Sequence, residues 1–160
     1  MFDTSVLKDE STDNFALTLK NYNMDGGLSK ILYADREGTF RVKGPLGKGL
    51  GLSCLSKGTH VAFAAGTGVL VFIDIVAKML MQTQNLLKDE DQFNKDFKFV
   101  FFASFVSREE AIGLDLMEGL ANLMREQGSD AFELRLRLSK DEKQKEKPPR
   151  WDEPYVRSQL

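Results

Sequence analysis

The sequence predicts an α/β fold in which a parallel sheet carries helices on both faces. Three observations lead there. Thr59 to Ala65 and Phe97 to Ala103 are near-continuous apolar runs, and Phe132 to Leu138 alternates strictly between apolar and charged residues. Each of the first two is followed by an apolar, helix-like segment, near Val69 to Met81 and from about Arg108 to Glu126. Strands buried on both faces and separated by helices mark a parallel sheet, because parallel neighbours need a long crossover. The arginines of the third run place it toward a sheet edge, where one face is wetter.

Upstream of residue 51 the pattern differs. Asn14 to Lys20 puts Phe15, Leu17 and Leu19 on one side, which predicts a half-buried strand. Leu28 to Ala34 reads as a short helix entered through Gly26 and Gly27. Thr39 to Lys43 alternates again and stops at Gly44 and Pro45, a strand ended by turn chemistry. Near the other end, Lys140 to Arg150 mixes both charges and closes on Pro148 and Pro149, which reads as a solvated loop. Trp151 reads as a packing lid over the edge of the sheet.

Composition narrows the chemistry. At 160 residues and 42% hydrophobic, the chain has the size and makeup of one globular domain, or of one domain with part of a neighbour. A net charge of −2 speaks against nucleic-acid binding, which normally needs a basic excess. Cys54 is the single cysteine and His60 the single histidine, so no disulfide framework and no metal centre is expected. Neither has a partner by sequence that would activate it, and His60 reads as a structural residue of its strand. The N-terminus lacks the basic-then-apolar order of a secretory signal. Val69 to Met81, interrupted by Asp74 and Lys78, is too short to span a bilayer. The expected setting is cytoplasmic or a reducing, organelle-facing compartment, with any membrane attachment left to another part of a parent protein.

The strongest site motif is Gly66-Thr67-Gly68, where the first apolar strand breaks and a helix opens. That arrangement brings phosphate onto free backbone N–H groups, and glycine permits the close approach. Its bland reading is a ligand-free turn. The usual dinucleotide fingerprint has a third small residue three positions beyond Gly68, and Val71 stands there. Gly44, Pro45, Gly47 and Gly49 read as a hinge. A P-loop is excluded there, because Leu50 and Gly51 occupy the positions that need Lys and Ser or Thr. Glu109 and Glu110 read as stabilising the N-terminus of the helix expected from residue 108.

In order and spacing these pieces resemble the ferredoxin reductase-like flavoproteins, a group that includes the cytochrome b5 reductases. Gly26-Gly27-Leu28-Ser29 looks like that family's turn onto the FAD pyrophosphate. Phe40 to Gly49 looks like its last barrel strand and Gly-Pro-x-Gly link, Gly66-Thr67-Gly68 like its pyridine-nucleotide turn, and Phe102-Ala103-Ser104 with Glu109 to Ile112 like its second strand and helix start. The resemblance implies that 1–50 is the remnant of an FAD-binding β-barrel with its link and 51–160 an NAD(P)-binding α/β domain, truncated at both ends. It implies that Gly66, Thr67, Gly68 and Val69 hold the pyrophosphate of NAD(P)H, that Ser104 meets the adenosine ribose, and that Gly27, Leu28 and Ser29 contact FAD in the complete parent.

Departures from the pattern carry equal weight. The flavin-ring Arg-x-Tyr-Ser/Thr strand and the terminal Cys-Gly strand are both absent from the sequence, and Leu70 and Val71 replace a small residue and a proline. Phe105 stands where NADP-selective relatives often carry arginine, which tilts the expectation to NADH, with Arg108 nearby. Two readings therefore remain open. One is the pyridine-nucleotide half of an FAD-dependent NAD(P)H oxidoreductase, passing electrons to an undefined acceptor and inactive as an isolated chain. The other is a non-catalytic, reductase-like structural or interaction module.

Overall fold

A computed structural model describes residues 27–35, 38–39, 41, 49–53, 55–88, 92–140 and 151–159. The chain divides into two compact units, one spanning Asp3–Leu52 and one built on Ser53–Leu160. In the first, the described structure is a seven-residue helix, α1 (Leu28–Ala34), entered from Gly27. The expected strand at 14–20 lies outside the described residues. Of the expected strand at 39–43, only Thr39 and Arg41 are described, and neither is in a strand.

The second unit is an open α/β sheet. Its elements are β1 (Gly58–Ala65), a 3-10 turn (Gly66–Val69), α2 (Leu70–Thr83), β2 (Phe97–Phe105), α3 (Leu114–Glu126), β3 (Phe132–Leu138) and α4 (Glu153–Gln159). The three strands are parallel and ordered β1-β2-β3, so among the described residues β3 has one strand neighbour. Each strand lies beside the next one in sequence. A right-handed crossover from β1 to β2, repeated in the same direction from β2 to β3, must put both connecting helices on the same side.

The packing agrees. Ala62 of β1, Phe99, Phe101 and Phe105 of β2, and Phe132 and Leu138 of β3 form one apolar cluster with Ile73, Val76 and Met79 of α2 and Met117, Leu120 and Met124 of α3. The Phe72 ring lies 5.1 Å from Phe101 and 6.1 Å from Phe99. Of the helices expected on both faces, α2 and α3 share one. Among the described residues, the opposite face is met by Trp151, whose ring stands edge-on to Phe102 and Phe63 at 5.5 and 6.1 Å.

That opposite face is a layered surface, read across the strand register. Val61 and Phe63 of β1 are exposed, Val100 and Phe102 of β2 are fully buried, and Glu133, Arg135 and Arg137 of β3 line the far side. Phe63 stacks on Phe102 at 4.7 Å. Glu133 bridges Lys98 and Arg135, each at 2.5 Å, and Asp130 adds a second carboxylate to Lys98 at 3.3 Å. The hydrogen bond to Glu133, then that to Asp130, holds the Lys98 ammonium above the ordinary lysine range against the opposing effect of partial burial.

Two helix starts differ from expectation. α3 begins at Leu114 because Gly113 has φ +71°, a left-handed conformation that ends any helix arriving from residue 108. Glu109 and Glu110 thus lie in the preceding turns, and Asp115 is the acidic residue of the first turn. A Cβ on Gly113 would stand 2.6 Å from Ile73 Cδ1, itself in the core. Gly113→Ala is therefore expected to cost about 2 kcal/mol, from the left-handed backbone together with crowding, read as a lowered urea midpoint.

The second difference is at α2. With the 3-10 turn it makes an 18-residue run, Gly66–Thr83, long and apolar enough to cross a membrane by length and composition. The sequence expectation counted a shorter stretch. Here the helix has another use for its apolar side: Val69, Ile73, Val76, Ala77 and Met79 are buried in the sheet-facing core.

Candidate functional site

A β-strand that delivers its chain into a helix needs one sharp change of direction, and Gly66 makes it at φ +53°. An L side chain rarely adopts that conformation, so glycine at 66 is explained by the backbone alone. Gly68 differs. Its φ is not left-handed, and a Cβ built there meets nothing within 4 Å. Glycine in a helical turn costs roughly 0.5–1 kcal/mol relative to alanine. Neither backbone nor packing within the described residues requires that cost at Gly68.

The turn also leaves a donor uncommitted. The first N–H groups of a helix have no partner inside it. No side chain caps this one, and outside the helices and strands no backbone hydrogen bond from the Thr67 N–H occurs among the described residues, whereas a 3-10 turn starting at Gly66 engages the Gly68 N–H with Ala65 O. Leu70 N–H, one turn later, donates to Thr67 O. Thr67 is half-exposed, whereas Val69 is fully buried and anchors the turn to the core. Of the four residues expected to hold pyrophosphate, Val69 can thus offer only its backbone.

Ser104 comes to the same place. It is the ladder partner of Ala65, one strand spacing of about 4.8 Å from the residue before Gly66. It lies half-exposed on the face opposite the helices, between Ala65 and Arg137. The Gly66 turn and Ser104 therefore share the carboxyl edge of the parallel strands, where open α/β sheets take their ligands. Gly27, Leu28 and Ser29 belong to the other unit, at the start of α1. Gly27 has an ordinary extended backbone (φ −71°), its carbonyl accepts from Lys30 and Ile31, and Leu28 is 69% exposed.

The bulky pair after the turn does not obstruct it. Leu70 packs against the core, and Val71 points to solvent at 59% exposure. The third glycine of a dinucleotide fingerprint serves close helix–strand packing. At Val71 no such packing occurs, so a larger residue is tolerated. Arg108, the cation nearest the end of β2 in sequence, is engaged by Glu118 of α3 through both terminal nitrogens at 2.9 and 2.6 Å.

Two further features had no clear sequence signal. Arg137, the neighbour of Ser104 on β3, has its Nε enclosed without a hydrogen-bond partner among the described residues. A cavity of about 520 Å³ opens at the other end of the sheet, between the last turns of α2 and α3 and the chain entering β2. Met79, Phe93, Phe97 and Met124 form its apolar lining, with Asn85, Gln127 and Ser129 among the polar groups. Gln82 fixes that approach by accepting from Phe93 N–H at 2.6 Å and donating to Phe93 O at 3.3 Å. The cavity lies at the amino ends of the strands, away from the Gly66 turn.

His60 is held in a structural setting. Its ring stacks on Phe97 at 4.9 Å, and its Nε2 is enclosed without a hydrogen-bond partner among the described residues. No group of three or more His, Cys, Asp or Glu side chains suited to a metal ion occurs among the described residues, and Cys54 lies outside them. Comparison with protein-family models, with curated proteins and with solved structures finds no match to this chain.

Proposed function

We propose that the α/β unit binds the pyrophosphate of a pyridine dinucleotide at Gly66–Val69, with Ser104 beside the ribose, as the nucleotide half of an FAD-dependent NAD(P)H oxidoreductase. The single observation that carries the reading is Gly68: a glycine that the backbone and packing among the described residues do not require, beside the Thr67 N–H of an uncapped helix start, at the carboxyl edge of a parallel sheet. A phosphate oxygen approaching that N–H group from outside would give that glycine its reason. The partial positive charge of a helix start favours the same anion.

In this reading the chain's own work is to hold and orient. Thr67 donates its backbone N–H to the pyrophosphate, Gly68 leaves room for its approach, and Ser104 offers a hydroxyl to a sugar hydroxyl. NADH is favoured over NADPH because Arg108, the sequence candidate for a 2′-phosphate, is already engaged by Glu118. Hydride chemistry belongs to the dinucleotide and to a flavin held by the complete parent protein. Titration calorimetry of the full chain with NADH, NADPH and ADP tests the proposal. Saturable binding, with NADH at least as tight as NADPH, is expected. Absence of heat at millimolar ligand would overturn it and leave the non-catalytic interaction module as the better account.

A further inference from the structure

The amino and carboxyl edges of the sheet differ in their electrostatics. A helix that links two parallel strands runs back against them, so α2 and α3 both deliver their carboxyl ends to the amino edge. The cavity of about 520 Å³ opens between those two ends, within the roughly 300–1,000 Å³ span of small-molecule sites. Each helix end carries about −0.5 of an elementary charge. Against them stands Lys95, exposed, the one ionised side chain among the described lining residues. The two contributions nearly cancel, so the site favours neither an anion nor a cation.

The lining specifies the rest. Phe93 and Phe97 stack at 4.6 Å with 29° between their planes, and the thioethers of Met79 and Met124 complete an apolar, polarisable wall. Gln82 holds Phe93 through both of its backbone groups, so this wall is formed before any ligand arrives. Asn85 and Gln127, just beyond the ends of α2 and α3, bring carboxamides to the lining, each a donor beside an acceptor. We propose that the cavity is a second ligand site, taking a small uncharged planar heterocycle with a lactam-type edge, N–H beside C=O. The ring lies against the aromatic and thioether wall, and the edge pairs with a carboxamide as one amide pairs with another. Because the cavity and the Gly66 turn lie at opposite edges of the sheet, this site and dinucleotide binding are separate properties.

Amide NMR titration of the full chain with 2-quinolinone, an uncharged bicyclic lactam, tests the inference. The controls are 2-naphthoate and 2-naphthylmethylammonium, similar in size and opposite in charge. Saturable shifts are expected from 2-quinolinone at the amides around Met79, Phe93 and Met124 and not at Gly66–Val69, with both charged controls about tenfold weaker or more. Asn85→Gly removes one carboxamide without straining the backbone, because Asn85 stands at φ +56°. Gln127→Leu removes the other at an exposed position. At least one of the two should weaken 2-quinolinone roughly three- to tenfold, the worth of one hydrogen bond, with far-UV circular dichroism showing both folded. No saturable shift at millimolar 2-quinolinone, shifts centred outside the cavity, a charged control bound as tightly, or undiminished affinity in both variants each overturns the proposal.

Discussion

Gly68→Asp is expected to weaken dinucleotide binding about 100-fold or more while leaving the protein folded. The new carboxylate would stand where a pyrophosphate approaches, so like charges would meet at short range. Structurally the same substitution is mild. A Cβ at position 68 has open space around it, the backbone there is not left-handed, and aspartate at a helix start interacts favourably with the exposed N–H groups. Gly68→Ala separates the two effects further, since it should raise stability by about 0.4–1 kcal/mol through the unfolded chain. Calorimetry gives the affinity and urea unfolding the stability. Unchanged affinity in the aspartate variant would remove the turn from the binding site. A large loss of stability in the alanine variant would reveal an internal reason for the glycine.

The largest stability effect is expected at the middle of β2. Phe101 is fully buried, faces the helices, and lies 5.1 Å from the Phe72 ring and 5.5 Å from the Phe99 ring. Truncating such a ring removes its burial and leaves a cavity that a sheet strand cannot close, so Phe101→Ala should cost about 3–5 kcal/mol. That is comparable to the whole stability of a small domain, about 5–15 kcal/mol. A urea titration followed by circular dichroism should show the midpoint fall by roughly 2 M. A shift of only a few tenths would mean that Phe101 is not part of a packed core.

The strands were readable because their signal is local. Apolar continuity at 59–65 and 97–103 and strict alternation at 132–138 need no knowledge of partners, and the observed strands differ from these by two residues at most. The short helix at 28–34 was equally plain. Helix starts were harder. Glu109, Glu110 and Ala111 suit a helix by propensity, and only the left-handed backbone of Gly113 delays it, which sequence shows merely as a glycine. α4 was missed although its start is marked: Asp152 accepts from Tyr155 N–H at 3.0 Å, and Pro154 sits in the first turn.

The same division holds for the candidate site. Gly66, Thr67, Gly68 and Val69 form a turn because their order along the chain says so. Ser104 beside Ala65, and Arg137 beside Ser104, depend on strand register and order, which no local pattern encodes. That α2 and α3 share one face was not legible for a related reason. It follows from the order of the strands, and neighbouring strands in sequence need not be neighbours in space.

That strand order also matters while the chain is being made. Each strand finds its partner in the stretch synthesised next, so β1 can close onto β2 as soon as Phe105 has left the ribosome, with α2 already available to cover the pair. Nothing encoded later has to be threaded between them. Assembly can thus run vectorially, each β–α step adding to a partly finished sheet, and β1 is the first strand of the α/β unit to emerge.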